Sequence, residues 1–192
     1  MNTKLLMSLL TFSTIVVNAN DMISKTLAFI EIEHQGKPVT IKRIFSPKSK
    51  VDAIVALQPM EIGNVKTIGE LEVLNFIKES KDDARLMFID ARTKRWYHKE
   101  TIASAMNLPF SMLDEHSTYQ EKIVTLLGAV YFGQQWDFSN VNTLLIFGNG
   151  IVDIQATSAI KSLIKLGYPS EKLLYYRGGI ESWKRLGLSV IN

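Results

Sequence analysis

Two stretches near the N-terminus alternate apolar and polar positions with the period of a strand. Leu27 to Glu33 (LAFIEIE) is the first and Val39 to Phe45 (VTIKRIF) the second. Between them Gln35-Gly36-Lys37-Pro38 holds turn-forming residues, so the region predicts a β-hairpin. Ser46 to Asn64, with Pro47, Pro59 and Gly63, has the composition of a connector. From Thr67 onward the pattern changes. Thr67-Ile-Gly-Glu70 has the spacing of a capping box, and Leu71, Leu74 and Ile77 then recur at helical intervals. Leu86 to Ile89 is a short apolar run of the kind that forms a buried parallel strand. Asn107 to Phe110 is positioned to follow another short strand. Ser117-Thr-Tyr-Gln120 is a second capping-box pattern, with Ile123, Leu126, Leu127 and Val130 predicted to form the buried face of its helix. Asn142 to Phe147 (NTLLIF) is the clearest strand.

The remainder keeps the alternation. A helix is predicted from about Gln155 to Leu166, with Ile160, Leu163 and Ile164 inward. Gly167 supplies its left-handed cap and Pro169 blocks its continuation. Leu173 to Tyr176 is the last strand, Arg177-Gly-Gly179 a tight turn, and Ile180 to Leu186 a closing helix ended by Gly187. Strands and helices alternating at this spacing imply βαβ units. The expected fold class is therefore α/β, a central, mostly parallel sheet flanked by helices on both faces, with a small β-rich N-terminal extension.

The first residues belong to neither part. Lys4 precedes an uncharged run, Leu5 to Val17, and Val17-Asn18-Ala19 is a small-residue pattern suited to cleavage after Ala19. This predicts a signal peptide over 1–19, an extension and connector over 20–64, and the α/β domain over 65–192. The mature protein is expected in the periplasm, or secreted, with no stable membrane insertion after cleavage. The 192-residue chain carries a net charge of +3. Loss of Lys4, the one charged residue before position 20, brings it to +2, too little to argue for nucleic acid. Lys37, Lys42, Arg43, Lys48 and Lys50 are expected to form a solvated face that discourages edge pairing.

The most consequential count is zero cysteines. It excludes disulfides, thiolate metal sites and a thiol nucleophile within the chain. His34, His98 and His116 are far apart in sequence and show no metal-ligand spacing, so no metal is expected. Gly148-x-Gly150-x-x-Asp153 begins like a dinucleotide fingerprint. Its third glycine is replaced, however, and it falls in a late βαβ unit, so no cofactor is expected. Thr93 to Lys99 (TKRWYHK) interleaves basic and aromatic residues and is expected to be a solvated loop with Trp96 packed on the sheet. For Trp136 the sequence leaves core and pocket equally open.

The candidate ligand loop is Gly148-Asn149-Gly150-Ile151-Val152-Asp153-Ile154, between the NTLLIF strand and the following helix. Strand-to-helix turns at the C-terminal edge of a parallel sheet are where such folds bind ligands, and backbone amides there can face an anion. Around it lie Asp90-Ala-Arg92 after a strand, Ile102 to Pro109 (IASAMNLP), and Leu173 to Trp183 (LLYYRGGIESW) with Gly178, Gly179 and Trp183. In order and spacing this set resembles a rhodanese domain over about residues 65–191. Gly167-Tyr-Pro169, with Gln58-Pro59-Met60 upstream, is similar to a periplasmic-type subset of that family.

The resemblance implies a cysteine at the start of this loop, whose thiolate would carry sulfur as a persulfide, stabilised by loop amides and a basic residue late in the loop. Here the corresponding position is Gly148, and Asp153 or Ile154 stands where the basic residue would be. Glu100 to Ala105 (ETIASA) also departs from the family's glycine-containing turn. Asp90 and Arg92 are expected to hold loops around the sheet. The resulting expectation is an exported rhodanese-like domain, inactive in sulfur transfer, that acts as a binding or scaffold module for a protein or small-molecule partner. The alternatives are a carrier of a small ligand or anion, and a non-thiol hydrolase of the related phosphatase type using Asp153 as a base.

Overall fold

A computed structural model of the chain describes residues 23, 26–42, 57 and 59–192. The predicted signal segment with Ala19, the end of the second predicted strand (43–45), most of the predicted connector with Lys48 and Lys50, and Gln58 lie outside the described residues. The chain divides into two units after Ala56. Among the described residues no helix is long and apolar enough to cross a membrane.

The first unit contains a hairpin of β1 (Phe29–His34) and β2 (Lys37–Lys42). Its turn is tighter than the sequence pattern indicates. Gln35 and Gly36 alone make it, both with positive φ (52° and 74°), as a two-residue primed turn requires. Lys37 and Pro38 are taken into β2, where Pro38 faces Glu33. With His34 and Lys37 closing the turn as the hydrogen-bonded pair, Glu33 and Pro38 form a non-bonded pair, so the missing amide proton costs nothing. The pairs Ile30–Ile41 and Ile32–Val39 share one face.

The second unit is built on a five-stranded parallel sheet with the order β3-β9-β8-β4-β5. The strands are β3 (Lys66–Ile68), β4 (Leu86–Asp90), β5 (Met106–Asn107), β8 (Thr143–Phe147) and β9 (Leu173–Tyr176). Central β8 is buried from Leu144 to Phe147, which explains its unbroken apolar sequence. Alternate residues separate two cores. Phe88, Leu145, Phe147 and Tyr176 meet Val73 and Phe76 of α1 (Glu70–Glu79) and Ile180 and Trp183 of α5 (Gly179–Arg185). Ile89, Leu144, Ile146 and Tyr175 meet Val124 of α3 (Gln120–Leu126) and Ala156, Ile160 and Leu163 of α4 (Gln155–Leu166). Ile62 and Val65 are buried in the second core.

Several local expectations shift. In α1 the buried face is Val73 and Phe76, while Leu71 is 72% exposed and Leu74 is exposed as well. The cap is Gly69, whose N–H donates to Glu72 Oε2 (3.0 Å), and Thr67 belongs to β3. The helix phase is set by the strand that feeds it, with Glu70 held against β9 by the Tyr176 hydroxyl (2.9 Å). Periodicity reports a stripe but not which stripe faces the sheet. The second capping box does not form either, and other short-range bonds take its place. Ser117 Oγ accepts from the N–H of Tyr119 (3.2 Å), and Gln120 Nε2 donates to the Leu113 carbonyl (2.9 Å). In α3 Val124 and, just beyond it, Leu127 are buried, while Leu126 is exposed.

Val130 is also exposed and starts β6 (Val130–Tyr131), which pairs with β7 (Trp136–Asp137) in a small ribbon that the pattern does not announce. Trp136 is half-buried against the core and stacks near Tyr131 and Phe138. Residues 94–99 form a helix, α2 (Lys94–Lys99), instead of a loop. Trp96 is exposed with Lys99 Nζ 5.2 Å from its ring centroid, not packed on the sheet.

Three tyrosines are buried in these cores, and this sets an alkaline limit on stability. Burial pushes the Tyr175 hydroxyl up to about 12. It also raises Tyr168 and Tyr176, the latter aided by its bond to Glu70. An unfolded tyrosine loses its proton near pH 10, so above that pH the folded chain holds protons the unfolded one has released. Stability is then complete below about pH 10 and falls as pH rises, by about 1.4 kcal/mol per pH unit for each tyrosine. Melting temperature followed with phenolate absorbance checks this. Tyrosines that all ionise near pH 10 without unfolding contradict it.

Candidate functional site

The site is assembled at the C-terminal edge of the sheet, where β4, β8 and β9 end side by side. Leaving β8, the chain runs through Gly148 to Ile154 and enters α4. Gly148 and Gly150 are buried, and the loop is tied down from three sides.

On the first side is the end of β4. Asp90 and Arg92 form an ion pair at 2.7 Å with side chains 0% and 1% exposed. The Asp90 carboxylate also accepts the Arg92 N–H (3.0 Å), Arg92 Nε (2.9 Å) and Thr101 Oγ1 (2.8 Å). Arg92 continues outward, with Nη2 donating to the Glu100 carbonyl (2.6 Å) and Nη1 to Asn149 Oδ1 (3.3 Å). Asn107 on β5 donates to the carbonyls of both Asp90 and Arg92. A buried charge pair survives only when its remaining donors and acceptors are met, and here they are. A buried D-x-R at a strand end thus becomes a clamp on the neighbouring loop.

The second side is the N-terminus of α5. The N–H groups of Ile180 and Glu181 donate to the carbonyls of Gly148 (3.1 Å) and Asn149 (2.9 Å). Such close approach requires glycine at 179. Its φ is +58°, and a Cβ there would lie 2.5 Å from the Gly148 carbonyl oxygen and 2.6 Å from the Asn149 carbonyl carbon. A Cβ on Gly178 would press on Tyr176 and Ser182 at 2.9 Å. Trp183, one turn further along, is buried, donates from Nε1 to the Ser189 carbonyl (2.8 Å) and meets Tyr176 edge-on.

The third tie is internal to the loop. Asp153 Oδ2 accepts the Asn149 N–H (2.6 Å), and Oδ1 accepts the N–H and Nε2 of Gln155 (3.1 Å each). Gln155 Oε1 in turn accepts the N–H of Thr93 (3.0 Å), linking the loop to the start of α2. A Cβ built on Gly148 would overlap Asp153 Oδ2, so the carboxylate stands in the space a side chain at 148 would take.

The outer face of the loop is different. Ile151 and Ile154 are exposed and Val152 is half-buried. A cleft of about 500 Å³ lies beside Asn149, between Trp96 and α5, walled by Ile180, Glu181 and Lys184. Its Glu100 carboxyl is held below the ordinary carboxylate range by a hydrogen bond from Lys184, at 2.7 Å. Among the described residues no three His, Asp or Glu side chains gather as a metal site.

Asp90, Arg92, Asn149, Gly178 and Gly179 are therefore brought together with the loop, while Trp183 supports it from the core. Thr93, Thr101, Asn107 and Gln155 belong to the same network, and nothing in their sequence surroundings singles them out.

Residues 73–186 match the family described as rhodanese-like domains. Among solved structures, a Bacillus halodurans protein superposes with a TM-score of 0.50 at 19% identity, over 66% of this chain and 77% of its own. A rhodanese-like domain from an Anabaena protein gives 0.40 at 21% identity, over 55% of this chain and 98% of its own. A Rhodopseudomonas palustris protein described as a possible tyrosine phosphatase gives 0.46 at 16% identity, over 66% and 85%. At 19% identity the first of these likenesses concerns the fold alone. No curated protein matches the chain.

Proposed function

Since the chain belongs to the rhodanese-like domain family, matching it over residues 73–186, we propose that it is an exported member that does no sulfur transfer and serves as a binding or scaffold module. The observation that carries this is the position after β8. Persulfide chemistry needs a polarisable nucleophile there. Gly148 has no side chain, and the chain has no cysteine to take its place. The anion cradle is compromised too, because a carboxylate, Asp153, lies among the amides that would steady a negative sulfur.

The hydrolase alternative draws little support. Both oxygens of Asp153 are engaged within the loop, which turns the carboxylate away from a water-activating role. A carrier of small anions meets the same obstacle. What the loop offers outward is apolar, at Ile151 and Ile154, with Trp96 exposed nearby. These features favour a protein partner over a small anion.

The purified mature protein is expected to give no thiosulfate:cyanide sulfur transfer above buffer and no phosphoester hydrolysis. Robust turnover that disappears on mutation of residues 148–154 overturns the proposal. With a partner in hand, amide shifts confined to Ile151, Ile154 and the cleft beside Trp96 are the expected footprint.

A further inference from the structure

We propose that the Asp153 carboxylate is a tethered anion that closes the loop after β8 to anions from solution. The inference rests on the reading that this loop performs no sulfur chemistry, and it identifies what holds the loop shut.

Two independent observations meet at one spot. The first is steric: the space in front of the Gly148 Cα, where any other residue would place its Cβ, is filled by Asp153 Oδ2. The second is electrostatic. The N–H groups of Asn149 and Gln155, at the two ends of the loop, both point at that carboxylate, and Gln155 Nε2 adds a third donor. Amides at a strand-to-helix turn attract anions from solution when nothing occupies them. Here the anion is part of the chain, four residues from Asn149.

The tether makes displacement difficult. A group held within the same loop competes at an effective concentration of millimolar or more. An incoming oxyanion must also approach an existing negative charge at contact distance. The arrangement is anchored from behind, since the Asp153 N–H donates to the Gly150 carbonyl (3.0 Å) and Gln155 is fixed by Thr93. Glycine at 148 and aspartate at 153 are therefore one structural solution. The absent side chain makes room for the carboxylate, and the carboxylate satisfies the amides of Asn149 and Gln155.

The test follows the Asn149 and Gln155 amides by NMR in the full chain during titration with sodium thiosulfate and, separately, sodium formate. In the wild type neither amide is expected to shift saturably. In Asp153→Gly and Asp153→Ala, both are expected to shift and saturate, with affinity at least about tenfold above any wild-type response. Saturable wild-type binding of equal strength overturns the proposal, as does a folded variant whose amides remain indifferent to both anions.

A second measurement stands if those variants fail to fold. Gly148→Cys is compared with Gly148→Cys combined with Asp153→Asn, which removes the charge and keeps a side chain of the same shape. Iodoacetamide at neutral pH should alkylate the double variant about threefold faster or more, because a carboxylate in contact with a thiol raises its pKa by roughly a unit or more and the lower nucleophilicity of the less basic thiolate offsets part of the gain. Equal rates overturn the proposal. The non-catalytic reading fails on a different observation, sulfur transfer by the wild type, so the two failures are distinguishable.

Discussion

Replacing Asp90 with alanine is expected to destabilise the domain by about 3–5 kcal/mol, the range for leaving one member of a buried ion pair without its partner. The Arg92 side chain is 1% exposed and cannot reach water once the carboxylate is gone. Three donor groups lose their acceptor together, the Arg92 N–H, its Nε and Thr101 Oγ1, and Nη2 keeps only the Glu100 carbonyl. Urea unfolding should show a lower midpoint with an unchanged slope. Asp90→Asn, which keeps an acceptor but not the charge, should fall between. The double variant Asp90→Leu with Arg92→Met should lose less than the two single losses added together, because it buries no orphan charge. A loss under about 1 kcal/mol for Asp90→Ala contradicts this account. Because Arg92 also holds Asn149, the amide signals of residues 148–154 should move in the same variants.

The second large effect concerns Gly179. Alanine there must adopt a left-handed conformation, at about 1–2 kcal/mol. Its Cβ must also enter a space bounded by the backbone of Gly148 and Asn149, where overpacking adds about 1–3 kcal/mol. The expected loss is therefore about 2–5 kcal/mol. The loop should be displaced as well, because the donors from Ile180 and Glu181 no longer align with its carbonyls. Gly187→Ala is the internal comparison. Gly187 also has a positive φ, +76°, but nothing lies within 4 Å of its Cβ position. It should show the conformational cost alone, and leave the loop amides unmoved. Equal losses in the two variants would mean that Gly179 is required for its backbone angle and not for close approach to the loop.

These two predictions also mark how far the residues alone carry the structure. The parallel sheet was legible because buried parallel strands are apolar without interruption, as in β8, and because helices between them must cross over. The cap at Gly167 was equally plain, and its φ of +99° agrees. Helix phase was not. Leu71 and Leu74 satisfy the same periodicity as Val73 and Phe76, and only the exit of β3 and the bond from Tyr176 to Glu70 decide which pair faces the sheet. Short elements escaped for a related reason. In α2 and in the β6–β7 ribbon no segment is long enough to show a period.

For the candidate site the division is sharper. The chain's composition by itself determines that no cysteine thiol of these residues can act as nucleophile, since that depends only on which atoms are present. Its order of motifs determines that Gly148 follows the central strand and that Asp153 lies five residues on. Whether Asp153 faces solvent, a substrate water or its own loop depends on backbone angles and on neighbours far away in sequence, Thr93 through Gln155 and Arg92 through Asn149. Local sequence does not encode those directions, because each is the outcome of several strand ends meeting at one edge. Tertiary structure alone decided that the carboxylate turns inward and fills the place left by a missing side chain.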